Sequence, residues 1–179
     1  MLFSFSCKTP KIASVEQVAL EETDSFVDEN GKVDYYNPLT WILGYFNRGR
    51  LTEYPYQEWF AAEYDDYIPE SLYINYLLDL RWDNVTMTVV MGTWCSDSRR
   101  EVPRFLKIMD IMGIPEEKIS FIGTDMEKRS PVGGFEEMDI QRVPTFIFFV
   151  NNSEAGRIIE VPTASLEEDM VSILFTNKK

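Results

Sequence analysis

The spacing of apolar residues changes near residue 84. Ahead of that point, apolar and aromatic residues recur at helical intervals between prolines. "PLTWILGYF" puts Leu39, Ile42, Leu43 and Phe46 on one stripe, with Asn37 as a cap and Pro38 at the first turn. "YPYQEWFAAEYDDY" puts Trp59, Phe60, Tyr64 and Tyr67 at helical spacing after Pro55. "PESLYINYLLDLRW" follows Pro69, with Leu72, Tyr76 and Leu80 on one side. The pattern predicts three helices, and their aromatic stripes read as core rather than ligand groove. Residues 8–34 are polar, with a short helix predicted around "SVEQVALEE" and a turn at Asp28–Lys32, where Asn-Gly readily takes positive φ.

Behind residue 84 the pattern becomes short apolar runs broken by turns. "VTMTVVMG", "KISFIGTD", "PTFIFFV" and "GRIIEV" read as strands, the last two joined by a hairpin at "NNSEA". Ser96 to Met112 reads as a helix with Val102, Phe105, Leu106, Ile108 and Met109 inward, stopped at Gly113. "SLEEDMVSILF" reads as a last helix, with Ser165 and Glu168 at capping-box spacing. This order predicts an α/β domain: a mixed sheet flanked by helices, with an N-terminal helical extension. Three segments are expected: a tail and polar stretch at 1–34, a helical extension at 35–84 packed on the core, and the α/β domain at 85–179.

Composition narrows the chemistry. The 179-residue chain has a net charge of −13 and no histidine. Six basic and 15 acidic residues precede position 85, so the acidic excess falls mostly in the first half. Phosphate binding wants a basic surface, so nucleic acid is not an expected partner. Without histidine there is no Cys-His or Ser-His-Asp catalysis. Two distant cysteines, Cys7 and Cys95, suggest neither a disulfide scaffold nor a zinc site. No metal or cofactor is expected. "MLFSFSCKTPK" resembles the end of a bacterial lipoprotein signal, with Ser6 before a lipid-bearing Cys7. On that reading the protein is a cell-envelope lipoprotein whose true start lies upstream, and lipidation of Cys7 is its route to a membrane. Otherwise it is cytoplasmic.

The remaining cysteine stands in "VVMGTWCSDSRREVPRF", where a strand ends and a helix begins. Backbone N–H groups and the helix dipole favour negative charge at such a corner, and a cysteine there favours the thiolate. Arg104 and Lys107 read as a solvated helix face, with Asp97–Arg100 and Glu101–Arg104 as (i, i+3) pairs; a role for Arg99 or Arg100 in the local potential stays open.

"WCSDS", then Val102-Pro103, then "RVPTFIFF" some fifty residues on, resembles thioredoxin. In that family a Trp-Cys pair opens the active-site helix, a proline eight residues later kinks it, and a Val/Ile-Pro-Thr with a cis-proline lies beside the cysteine. Trp94-Cys95, Pro103 and Val143-Pro144-Thr145 match these marks, over about residues 85–179. The wording is similar to a bacterial branch bearing WC(G/S)D(C/S). The resemblance implies a thioredoxin fold, Cys95 as nucleophile, and Trp94, Val143, Pro144 and Thr145 as a substrate platform.

Two departures alter the implied mechanism. Thioredoxin has CxxC, and here Ser98 stands in place of the second cysteine. Thioredoxin also buries an acid six residues before the nucleophile, and here that position is Val89. A mixed disulfide on Cys95 therefore has no nearby thiol to resolve it. The expectation is a monothiol CxxS site performing thiol–disulfide exchange, with Ser98 donating a hydrogen bond to the thiolate and a low-molecular-weight thiol as co-substrate. The partner is then a protein or small-molecule thiol or disulfide. The rival is a redox-inactive thioredoxin-fold module that uses the same groove to bind a protein or peptide.

Overall fold

The structure is a computed structural model and describes residues 26–176. Cys7 and the helix expected near Ser14 lie outside the described residues. The chain divides into two compact units, Met1–Asp34 and Tyr35–Lys179. In the first, Val27 and Val33 form an antiparallel bridge around a turn. Asp28 Oδ1 accepts the N–H groups of Asn30 and Lys32 inside it, and Gly31 supplies the positive φ.

The second unit holds a five-stranded mixed sheet: β1 (Gly44–Phe46), β2 (Val85–Met91), β3 (Ile119–Gly123), β4 (Thr145–Val150) and β5 (Ser153–Ile159), in the order β1-β3-β2-β4-β5. β2 and β3 are parallel; the other pairs are antiparallel. Four α-helices accompany it among the described residues: α1 (Gln57–Asp66), α2 (Ser71–Leu78), α3 (Ser96–Ile111) and α4 (Leu166–Thr176). This is the thioredoxin-like mixed α/β architecture. None of these helices is long and apolar enough to cross a membrane.

The strand alternation sorts the core onto one face. Val85, Met87, Val89 and Met91 of β2 point into a single cluster with Phe121, Phe146 and Phe148, and all four helices feed that cluster. Phe105 of α3 packs on Phe146 with ring centroids 4.9 Å apart. On the opposite face Thr86 and Ser120 are exposed and Thr88 is half-buried. On this face Ile147 of β4 is buried opposite Thr88, and at the C-terminal end of β2 Val90 and Ile122 are buried with Val132, Phe135 and Val143. At the far end of β4, Asn151 and Asn152 both take positive φ. They make a two-residue hairpin turn, and β5 therefore begins three residues earlier than the expected "GRIIEV".

Two expectations ahead of residue 84 need correction. The predicted helix from Pro38 is a single 3₁₀ turn, Pro38–Thr40, capped by the Asn37 side chain. The chain then runs into β1, with Gly44 at φ +80°, and bonds to β3. A strand-edge partner, invisible to a periodicity argument, overrode the helical spacing. In α2 the buried positions are Ile74 and Leu77, while Leu72 and Tyr76 are 58% and 46% exposed. "YINYLL" is apolar almost all round, so its stripe is not unique in the sequence.

Candidate functional site

Cys95 is the N-cap of α3, at φ −85° and ψ 124°, directly after β2. Its side chain is partly exposed, and its thiol donates to the Val143 carbonyl oxygen at 3.2 Å. The Val143–Pro144 peptide is cis. Two loops distant in sequence thus meet at one sulfur. Trp94 lies over Gly92, where a Cβ would come within 2.4 Å of the indole, so only glycine lets the ring fold back this way. The indole N–H donates to the Thr124 carbonyl at 2.9 Å, which fixes the ring beside the thiol.

The corner is braced from the segment ahead of the sheet. Thr93 Oγ1 donates to the Thr40 carbonyl oxygen at 2.8 Å, and Tyr56 donates to the same oxygen at 3.0 Å. Arg99 Nη1 donates to the carbonyls of Thr93 and Trp94 at 3.0 and 3.3 Å, and the guanidinium lies 4.4 Å above the Tyr35 ring. Periodicity assigned residues 35–56 to packing. It could not foresee that they hold the loop before the cysteine.

The other predicted site residues fall differently. Ser98 is fully buried, and its Oγ accepts the Gly92 N–H at 3.3 Å. It makes no hydrogen bond to Cys95, so its expected role as donor to the sulfur is corrected. One turn into the helix, its side chain faces the end of β2 and satisfies the Gly92 N–H just beyond the strand instead. Val143 and Thr145 are also buried, at 3% and 1% exposure. The Thr145 hydroxyl donates to the Arg142 carbonyl at 2.7 Å. Pro144 is buried, and its carbonyl accepts the Glu160 N–H at 2.7 Å. Of the expected platform, only Trp94 and Cys95 offer side-chain surface. Val89 is fully buried in the apolar cluster, so no acid stands behind the thiol at that position.

Two buried acids were not foreseen. Glu101 on α3 is 4% exposed and is held by Arg100 Nε at 2.6 Å, with Arg104 Nη1 at 3.8 Å. Arg104 also binds Glu63 of α1 at 2.6 Å. Glu167 on α4 is 1% exposed and accepts the Tyr67 hydroxyl at 2.7 Å and the Glu70 N–H at 2.5 Å. Burial, and then the Glu167 carboxylate it donates to, keep the Tyr67 hydroxyl protonated well above the usual tyrosine range. The capping-box reading pointed to Glu168, whose N–H does reach Ser165 Oγ at 3.2 Å, and so passed over its buried neighbour.

A cleft of about 580 Å³ opens at the other end of the sheet, lined by Asp79, Arg81, Val85 and Val150 among others. β2 separates it from Cys95 by roughly 20 Å of strand. No cysteine lines it, and it does not contribute to this site. Among the described residues no group of acids and cysteines could hold a metal ion.

Comparison with known proteins agrees with this geometry. The chain is 27% identical over 85 residues to a thioredoxin of Malassezia sympodialis, a match that covers 48% of this chain and 77% of that protein. A thioredoxin of Echinococcus granulosus is 25% identical over 89 residues, covering 50% and 78%. These partial likenesses support a thioredoxin-like family. No protein-family model matches the chain. Among solved structures, a Pseudomonas aeruginosa protein of unknown function aligns with TM-score 0.52 and 13% identity, covering 92% of this chain and 99% of that one. An HIV epitope-scaffold aligns with TM-score 0.51 and 12% identity, covering 88% and 97%. At such identities these two speak for the fold alone.

Proposed function

We propose that this thioredoxin-like protein performs thiol–disulfide exchange through Cys95 as a single active-site thiol. The observation that carries the reading is the position of that thiol. It is partly exposed at a helix N-cap, beside the Trp94 ring and the Val143–Pro144 loop. The Cys95 thiolate attacks one sulfur of a disulfide; that S–S bond breaks, one thiolate leaves, and a mixed disulfide remains on Cys95. With serine at position 98, no neighbouring thiol among the described residues resolves the adduct. An external low-molecular-weight thiol completes the cycle by attacking the mixed disulfide.

A second reading keeps the groove and discards the chemistry: a redox-inactive module that binds a protein or peptide. Two observations favour it. The thiol already donates to Val143 O, and Ser98 donates nothing to the sulfur. Insulin-disulfide reduction with dithiothreitol separates the two. Exchange chemistry predicts low activity in the wild type and a gain in Ser98→Cys, which supplies the missing resolving thiol. The gain should be partial, because position 98 is buried and Val89 offers no acid to take the new thiol's proton. Equal activities would show that Ser98 does not limit the cycle. No activity in either protein, with the fold intact by circular dichroism, would favour the binding module.

A further inference from the structure

All nine arginines of the chain lie among the described residues, and there eight of them are ion-paired with carboxylates. Arg99 is the exception. Only its Nη1 is engaged there, by the Thr93 and Trp94 carbonyls, while Tyr35 supports the guanidinium plane. Its Nε and Nη2 have no hydrogen-bond partner among the described residues, and neither is sealed from solvent. Lys128 is similar: its ammonium lies 5.9 Å from the centre of the Trp94 ring, with no carboxylate within ion-pair distance among the described residues. Two uncompensated cations therefore contact Trp94, the residue before the thiol, in a protein of net charge −13.

Most nearby acids are already committed, and Glu58, whose charge acts on Tyr35, is not within ion-pair distance of Arg99. Asp97 pairs with Arg100 at 2.8 Å, Glu101 with Arg100 and Arg104, and Asp125 and Glu127 with Arg129. Lys128 also lines a pocket of about 160 Å³ with Glu136 and Asp139, but neither carboxylate is within ion-pair distance of its ammonium. Arg99 follows Cys95 by four residues, which puts it on the same helix face one turn on. A guanidinium already fastened by one nitrogen loses little further freedom on binding, and its remaining N–H groups suit a carboxylate.

We propose that Arg99 and Lys128 form a carboxylate subsite beside Cys95, and that the exchange partner is a small thiol or disulfide with a carboxylate close to its sulfur. This rests on the exchange reading above and names its substrate class. In the capture step the Cys95 thiolate forms a bond to one sulfur of R–S–S–R, the original S–S bond breaks, and RS⁻ leaves carrying its carboxylate. A second RS⁻ later attacks the adduct and releases Cys95.

The test uses the full chain and three small disulfides: dithiodiglycolate (anionic), hydroxyethyl disulfide (neutral) and cystamine (cationic). Adduct formation is followed by intact mass and localised to Cys95 by peptide mapping, because Cys7 is a second thiol. Rates are normalised to the same disulfides reacting with 2-mercaptoethanol. The overall negative charge alone favours cystamine. The subsite predicts the reverse order, with dithiodiglycolate faster than the neutral disulfide by roughly tenfold, the scale of a hydrogen bond to a charged group. Lys128→Gln and Arg99→Gln should each reduce that preference, and Lys128→Gln should leave the hydroxyethyl disulfide rate unchanged. Arg99 also braces the loop before the thiol, so Lys128→Gln, which breaks no backbone contact, is the cleaner variant. Equal normalised rates, or cystamine fastest, would overturn the subsite and leave exchange standing. No adduct with any of the three would overturn the exchange reading and the subsite with it.

Discussion

The two faces of the sheet differ in how they are built. One carries the large apolar cluster, with α1 to α4 packed on the odd-numbered residues of β2. The other carries Thr86, Thr88 and Ser120 on β2 and β3, buries Ile147 on β4, and has a small cluster at one end, with Val132, Phe135 and Val143 over Val90 and Ile122. Trp94 and Cys95 pack against this small cluster, not the large one. Stability and site are thereby separated: the thick face holds the fold, and the thin end holds the thiol in a place that solvent can reach. Local stability follows the number of buried apolar contacts, so the thin end is the part expected to open first.

The sharpest way to break this comparison is to remove one phenylalanine from each face. Phe146 is fully buried between the sheet and α3, against Phe105. Phe146→Ala should cost about 3–5 kcal/mol, because the rigid surroundings cannot collapse into the cavity. Phe135 is nearly as buried, at 3%, but sits on a 3₁₀ turn in a cluster of only five buried residues. Phe135→Ala should cost clearly less in urea unfolding and raise the rate at which Cys95 is alkylated in the native state. Equal losses, with alkylation unchanged, would show that the two faces are not independent.

That asymmetry was only half legible in the sequence. The strands after residue 84 and helix α3 could be read because their apolar runs are bounded by glycine and by polar turns. Cys95 and Pro144 could be brought together because their motifs resemble a known family. Ser98 was misread, because sequence spacing says that a hydroxyl is near a thiol but not which way it points. Its Oγ satisfies Gly92 N–H, a need visible only once β2 and α3 are placed. The brace from Thr40 to Thr93 was equally hidden, since it joins residues 53 apart. Arg99 was left open beside Arg100, and the structure separates them: Arg100 has two carboxylates, Arg99 none among the described residues.

A smaller effect tests whether the thick face depends on polar joints as well as apolar packing. Glu167 ties α4 to Tyr67 and to the start of α2 through two hydrogen bonds, in a position 1% exposed. Glu167→Leu fills much of the same space but strands the Tyr67 hydroxyl and the Glu70 N–H. The expected loss is about 1–3 kcal/mol, the cost of leaving buried donors unsatisfied. Adding Tyr67→Phe should recover part of it, because one stranded donor is then gone. No recovery in the double variant would assign the loss to misfit of the leucine.

The smallest effect lies at the rim of the same face. Arg48 binds both oxygens of Asp110 at 2.7 Å, and Tyr64 donates to the second oxygen at 2.7 Å. The hydrogen bonds from Arg48 hold the Asp110 carboxyl below the usual range, against partial burial. Its folded value is thus lower than the unfolded value of about 3.9, so the native state binds fewer protons through that window and stability rises with pH there. The contribution is present in full above the unfolded value and is lost as pH falls through the folded one. Because the pair is partly exposed, its size is about 0–1 kcal/mol. Comparing wild type with Asp110→Asn by thermal unfolding should show a small deficit in the variant at pH 7 that closes below about pH 4. A deficit that persists unchanged at low pH would assign the effect to lost packing around Tyr64 rather than to the charge.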